Sequence, residues 1–304
     1  MASLKLTGLV AAAHTPFAAD GSLDLAIVEK QAALLLKQKI TTVFIAGSTG
    51  ESHSLSLDER LRLAERWFAV IKGTPMQVVV HVGCNCLPDA VALAAQADRL
   101  GATAIAALAP MYFKPRDVGA LIDWCAALAA AAPRTPFYYY DIPVLTGVSL
   151  SMPSFLEQAA SRIPTLRGLK FTSSDLMSYQ QCVHHDGDRF DIAFGSDEIL
   201  LAALAVGAVG AVGSSYNFAG PIYHRVIDAF KRGDIKAAQT EQFKSVQLIS
   251  VLARIGYMGA AKAVMNMLGV NVGPARQPNA NPDAATIAKL RSDLEKLGFF
   301  DWIK

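Results

Sequence analysis

Lys170 stands near the end of the run Leu166-Arg167-Gly168-Leu169-Lys170-Phe171-Thr172, which reads as a strand buried on both faces. Side chains alternate along a strand, so Leu169 and Phe171 share one face while Gly168, Lys170 and Thr172 share the other. Burial strips hydration from an ammonium and favours the neutral amine, the nucleophile that opens Schiff-base chemistry on a carbonyl compound. A strand lysine taken alone more often snorkels its charge to solvent, so its neighbours must decide the matter.

Other reactive side chains cluster where apolar runs end. Tyr140 closes Tyr138-Tyr139-Tyr140 and is followed by Asp141-Ile142-Pro143. A phenol beside an amine in a dry site relays protons to and from a substrate hydroxyl. Tyr138 shares the parity of Tyr140 and reads as a filling aromatic, and Tyr139 faces the opposite way. Gly47-Ser48-Thr49-Gly50-Glu51 combines open backbone with two hydroxyls, a combination that holds carboxylates or phosphates. Asp197 and Glu198 are acceptors suited to a hydroxylated substrate, although acidic residues also open helices. The histidines do not gather: His14, His53 and His81 are scattered and His184-His185 reads as a helix end. Neither a zinc site nor a histidine-based triad is supported, and no metal is expected. His53 lies near the Gly-Ser-Thr-Gly turn without a clear role.

These positions need a scaffold. Apolar runs at 9–13, 42–46, 77–82, 104–109, 136–140, 169–172, 191–194 and 210–213 read as strands, with helical patterns between them. Ser56-Leu57-Asp58-Glu59 is a capping box, Leu25, Val28, Ala32 and Leu35 form one helical stripe, and Ser151 precedes Met152-Pro153 at a helix start. Eight strand–helix units predict a (β/α)8 TIM barrel over residues 1–232, with a C-terminal helical region over 233–304. Within the latter, 260–268 and 283–297 are helical and 274–282 is a connecting loop. An open doubly wound sheet is disfavoured because no glycine-rich dinucleotide turn follows the first strand. Barrel chemistry sits at the carboxyl ends of strands, which is where Ser48, Tyr112, Tyr140, Lys170, Asp197 and Ser214 fall.

Composition agrees. The chain has 304 residues, is 52% hydrophobic and 18% charged, and carries a formal net charge of +2. That balance argues against disorder and gives no reason to expect nucleic acid or a membrane as partner. The four cysteines at 84, 86, 125 and 182 lack a paired metal-ligand spacing and read as free thiols. The apolar stretch at residues 9–13 is too short for a secretory leader and reads as the first strand, so a soluble cytoplasmic protein is expected.

In order and spacing, Gly47-Ser48-Thr49-Gly50-Glu51, Tyr140-Asp141-Ile142-Pro143, Gly168-Leu169-Lys170 and Gly213-Ser214-Ser215-Tyr216-Asn217 resemble the dihydrodipicolinate synthase/N-acetylneuraminate lyase family of class I aldolases. The resemblance runs from the first strand into the C-terminal helices. It implies a barrel in which Lys170 forms an imine with pyruvate, Ser48 and Thr49 hold the pyruvate carboxylate, and Tyr140 shuttles a proton through Ser48 and Tyr112. It also implies a tetramer, with the tyrosine matching Tyr112 able to come from a neighbouring subunit, and no cofactor.

Within that family the resemblance is stronger to the sialate lyases. Synthases that bind aspartate semialdehyde usually carry arginine where this chain has Leu145, and an aliphatic side chain cannot pair a second carboxylate. The lyases share the aliphatic residue, the Asp197-Glu198 pair and Ser214. By resemblance these, with Thr172 and Gly195, hold a sugar's hydroxyls. Asp141 departs from the Asn or His common in the lyases. A 2-keto-3-deoxy sugar acid aldolase or dehydratase, a dihydrodipicolinate synthase and a non-catalytic sugar-acid-binding barrel are the alternatives.

Overall fold

The computed structural model describes residues 5–187 and 189–304. Eight parallel strands close into a barrel in chain order: β1 (Gly8–Ala12), β2 (Thr42–Ile45), β3 (Gln77–His81), β4 (Ala104–Leu108), β5 (Phe137–Asp141), β6 (Leu166–Phe171), β7 (Asp191–Phe194) and β8 (Gly210–Gly213). The last strand pairs with the first, Gly8 to Gly210 through Ala11 to Gly213. This is a TIM barrel, and each predicted strand run falls on an observed strand. The widest discrepancy is β6, which begins three residues before the expected 169 because Leu166 already pairs with Phe137. The register then shifts by one, with Tyr138 opposite Gly168, so Arg167 is the extra residue of a bulge.

Around the barrel lie α1 (Val28–Lys37), α2 (Leu57–Ile71), α3 (Leu87–Leu100), α4 (Val118–Ala130), the short α5 (Pro143–Thr146), α6 (Met152–Ala159), α7 (Leu176–Val183), α8 (Leu200–Ala205) and α9 (Tyr216–Lys231). The chain then adds α10 (Ile235–Ala253), α11 (Tyr257–Met267), α12 (Ala284–Leu297) and α13 (Phe299–Trp302). The expected capping box is formed: Ser56 Oγ accepts from Glu59 N and the Glu59 carboxylate accepts from Ser56 N, worth about 1 kcal/mol to the start of α2. The stripe from Leu25 is split, because residues 25–27 make a 3-10 turn before α1 begins.

Two apolar cores result, as strands buried on both faces require. Inside the barrel, Val10, Phe44, Val79, Leu108, Tyr138, Tyr140 and Val212 pack with Ala104, Ala106 and Ala193. The alanines leave the room that the tyrosine and phenylalanine rings fill. The second core lies between barrel and helices and includes Trp67, Leu93, Tyr139, Phe155 and Phe194. Tyr138 and Tyr139 thus divide between the cores as strand parity requires. Gly168 leaves no room for a side chain beside β7, since a Cβ there would lie 1.7 Å from Asp191 O. No single helix among the described residues is long and apolar enough to cross a membrane.

Candidate active site

Lys170 points into the barrel and is 5% exposed. Its partner in the ladder is Tyr140, and Lys170 Nζ lies 3.9 Å from the Tyr140 ring centroid and 4.2 Å from that of Phe44. Both aromatic faces present negative charge to the nitrogen. His81, on β3, stands edge-on to Tyr140 with centroids 5.8 Å apart and is tied through Nδ1 to Ala46 O at 2.8 Å. Burial and the nearby Arg60 charge hold this imidazole well below the usual histidine range, so it stays neutral and acts as a wall of the site. From the sequence, Phe44 carries no role and His81 is only one of the scattered histidines; their inward parity on β2 and β3 is the available signal.

The turn after β2 supplies the polar side. Glu51 N and Ser52 N fold back onto Ser48 O and Gly47 O at 3.0 and 3.1 Å. The Ser48 hydroxyl lies 3.2 Å from the Tyr140 hydroxyl, which joins the turn to the lysine–tyrosine pair. Thr49, beside Ser48, is partly exposed. Neither the Ser48 nor the Thr49 N–H donates to a backbone oxygen among the described residues. Two hydroxyls and two N–H groups are therefore available to an anion.

The ends of β6, β7 and β8 border a cleft of about 470 Å³ lined by Thr172, Gly195, Asp197, Glu198, Ser214 and Tyr257, among others. Gly195 packs on Thr172 so tightly that a Cβ would fall 1.9 Å from its Oγ1. That Oγ1 is buried and without a partner among the described residues, a costly arrangement unless a ligand completes it. Asp197 is 5% exposed, and its Oδ2 accepts from Ser215 N at 2.8 Å and from Ser215 Oγ. Burial raises this carboxyl to about 6 against the opposing effect of those bonds. Asp197 thus braces the start of α9, and Glu198 is the exposed carboxylate of the pair.

Ser214 Oγ lies 2.7 Å from the Tyr257 hydroxyl. Tyr257 comes from α11 in the C-terminal helical region, and nothing in its local sequence announced it. Tyr112 stands apart from the other predicted site residues: its side chain is 78% exposed and its ring touches Phe113, centroids 4.9 Å apart. Its N–H and that of Met111 are held by Asn85 Oδ1. Leu145, on α5, is 58% exposed and brings no positive charge to the mouth.

The chain matches the Dihydrodipicolinate synthetase family over residues 5–297. It belongs to that family. Among curated relatives, it is 38% identical to N-acetylneuraminate lyase of Gallus gallus over 297 residues, 96% of each chain. Among solved structures, it superposes on Proteus mirabilis N-acetylneuraminate lyase with a TM-score of 0.94 at 37% identity, covering 97% of this chain and 100% of that one. It is similarly close to the sialic acid aldolase of Aliivibrio salmonicida, with a TM-score of 0.94 and 39% identity, covering 97% and 98%.

Proposed function

We propose that this chain is a carbon–carbon lyase, an N-acetylneuraminate lyase that cleaves its sugar acid reversibly to N-acetylmannosamine and pyruvate through an imine on Lys170. The observation that carries the reading is the β5–β6 register, which sets Tyr140 beside Lys170 with the Ser48 hydroxyl 3.2 Å from the phenol. Relatives named as lyases at 37% to 39% identity over nearly the whole chain support the substrate.

The chemistry follows from these groups. Lys170 Nζ adds to the keto carbon, and loss of water leaves a protonated imine. Tyr140, as the phenolate once its own proton has passed to solvent beside the cationic imine, takes the proton of the β-hydroxyl as the bond between the α and β carbons breaks. The hydroxyl carbon becomes the aldehyde of the released sugar, and the electron pair runs through the α carbon to nitrogen as an enamine. Tyr140, in hydrogen-bond contact with Ser48, returns the proton to the α carbon, and water then releases pyruvate and the lysine. The protonated imine is the electron sink, so the scheme uses no metal or organic cofactor. Ser48 and Thr49 hold the carboxylate. Thr172, Glu198, Ser214 and the backbone at Gly195 take the sugar hydroxyls, with Asp197 shaping the wall.

We further infer a cytoplasmic homotetramer in which Tyr112 completes a neighbouring subunit's proton relay. Its 78% exposure beside Phe113, at 85%, makes an apolar surface suited to such a contact, and the four unbridged cysteines suit a reducing compartment. The division into a barrel (1–232) and a helical region (233–304) is topological, because Tyr257 of the latter lines the cleft.

The test is borohydride trapping with pyruvate, read by mass spectrometry at Lys170, alongside pyruvate release from N-acetylneuraminate and 2-keto-3-deoxygluconate. An adduct at Lys170 with faster release from N-acetylneuraminate is expected. No adduct would refute the imine. Faster release from the keto-deoxy acid would move the assignment to that aldolase, and binding without turnover would make the barrel non-catalytic.

A further inference from the structure

Glu51 ends the Gly47–Glu51 turn, yet its carboxylate is not part of the cleft. Lys262, reaching across from α11, places Nζ 2.6 Å from Glu51 Oε1. It also donates to the carbonyl oxygens of Thr15 and Pro274 at 3.0 and 2.9 Å, so the buried ammonium is held by one ion pair and two hydrogen bonds. Lys262 is 2% and Glu51 4% exposed. Glu51 Oε2 accepts from Arg276 N at 2.7 Å, and Thr15 in turn donates its hydroxyl to Gly50 O at 2.6 Å.

An apolar pair of the same shape would often stabilise a fold as well as this one, because burying both charges costs solvation. The turn gives the pair its purpose. Ala46 and Glu51, on either side of Ser48 and Thr49, have φ of +54° and +55°. Residues with a Cβ resist this left-handed conformation, and it persists where surrounding contacts over-determine it. Lys262, Arg276 N and Thr15 are those contacts at the Glu51 end.

We propose that Lys262 is a positioning residue for keto-acid binding. Through Glu51 it holds the turn that presents Ser48 and Thr49, and so the C-terminal helical region sets the enzyme's affinity for a carboxylate it never touches. This rests on the assignment of the turn as the pyruvate carboxylate site.

The experiment compares borohydride trapping of Lys170 by pyruvate with trapping by acetone, a ketone lacking the carboxylate, in the full chain. Lys262→Met and Glu51→Gln should each raise the half-saturating pyruvate concentration by about tenfold or more, with acetone trapping changed by less than about twofold. A merely structural role would weaken both ketones equally, and that result, or an unchanged pyruvate dependence, overturns the proposal. If Lys262→Met shows no cooperative melting transition, the near-isosteric Glu51→Gln decides alone. Ser48→Ala separates the two readings. If it leaves the pyruvate dependence unchanged, the carboxylate assignment is wrong and the role of Lys262 falls with it. If Ser48→Ala weakens pyruvate and the other variants do not, only the role of Lys262 is wrong.

Discussion

Tyr140 and Lys170 face each other directly across the β5–β6 ladder, the lysine nitrogen 3.9 Å from the phenol ring centroid. The ring packs the amine, and the hydroxyl, 3.2 Å from Ser48 Oγ, is the group we propose for proton transfer. Tyr140→Phe keeps the first role and removes the second. It should retain borohydride trapping with pyruvate while cleavage falls by about 10²- to 10⁴-fold in kcat, the usual size of a lost general acid–base. Parallel loss of trapping and cleavage would show that the hydroxyl is needed for imine formation itself.

Thr172 Oγ1 is buried without a hydrogen-bond partner among the described residues. An orphaned hydroxyl costs about 1 kcal/mol or more, and a ligand hydrogen bond restores a similar amount. Thr172→Val should therefore raise stability by about 1 kcal/mol in urea unfolding and raise the KM for the sugar acid by roughly fivefold, with pyruvate trapping unaffected. A variant that loses stability would show that the hydroxyl is satisfied within the fold.

The Tyr257 hydroxyl holds Ser214 at 2.7 Å. Removing it in Tyr257→Phe frees the serine rotor without emptying the space the ring occupies. The KM for the sugar acid should rise by about two- to tenfold at nearly constant kcat, the signature of lost uniform binding. Steady-state kinetics on N-acetylneuraminate measure this, and a fall in kcat at constant KM would contradict it.

Asp141 is 5% exposed and no hydrogen bond reaches its carboxyl among the described residues. Burial raises it from 3.8 to about 7. Between those values the folded chain keeps a proton that the unfolded chain has released, so stability present at low pH is lost as pH rises through about 7. Asp141→Asn removes that loss. The variant and the parent should unfold alike near pH 4, and the variant should be more stable above pH 7, by at most about 4 kcal/mol. Urea midpoints across this range decide it, and parallel curves would mean that the carboxyl is solvated.

The inward direction of Lys170 was legible because a strand buried on both faces has only two directions to offer, and alternation from Gly168 and Thr172 chose one. The neighbouring Tyr140 was legible for the same reason, since consecutive βα units lie side by side in the barrel. The start of β6 was not, because a bulge at Arg167 depends on how β5 lies against it rather than on local pattern. The short α13 escaped notice because it is only four residues long.

Sequence alone therefore determined the barrel, the strand ends that carry the candidate site, and the inward direction of the lysine and its neighbouring phenol, because periodicity and chain order encode these locally. Tertiary structure decided the exact pairing of Tyr140 with Lys170, since one extra residue at Arg167 shifts every later partner by a position. It also brought in Phe44 and His81 beneath the pair, Tyr257 against Ser214, and Lys262 against Glu51. These last partners are separated by 43 and more than 200 residues of chain. Only closure of the barrel and docking of the helices after it create such contacts, because no local pattern specifies what a distant segment will touch.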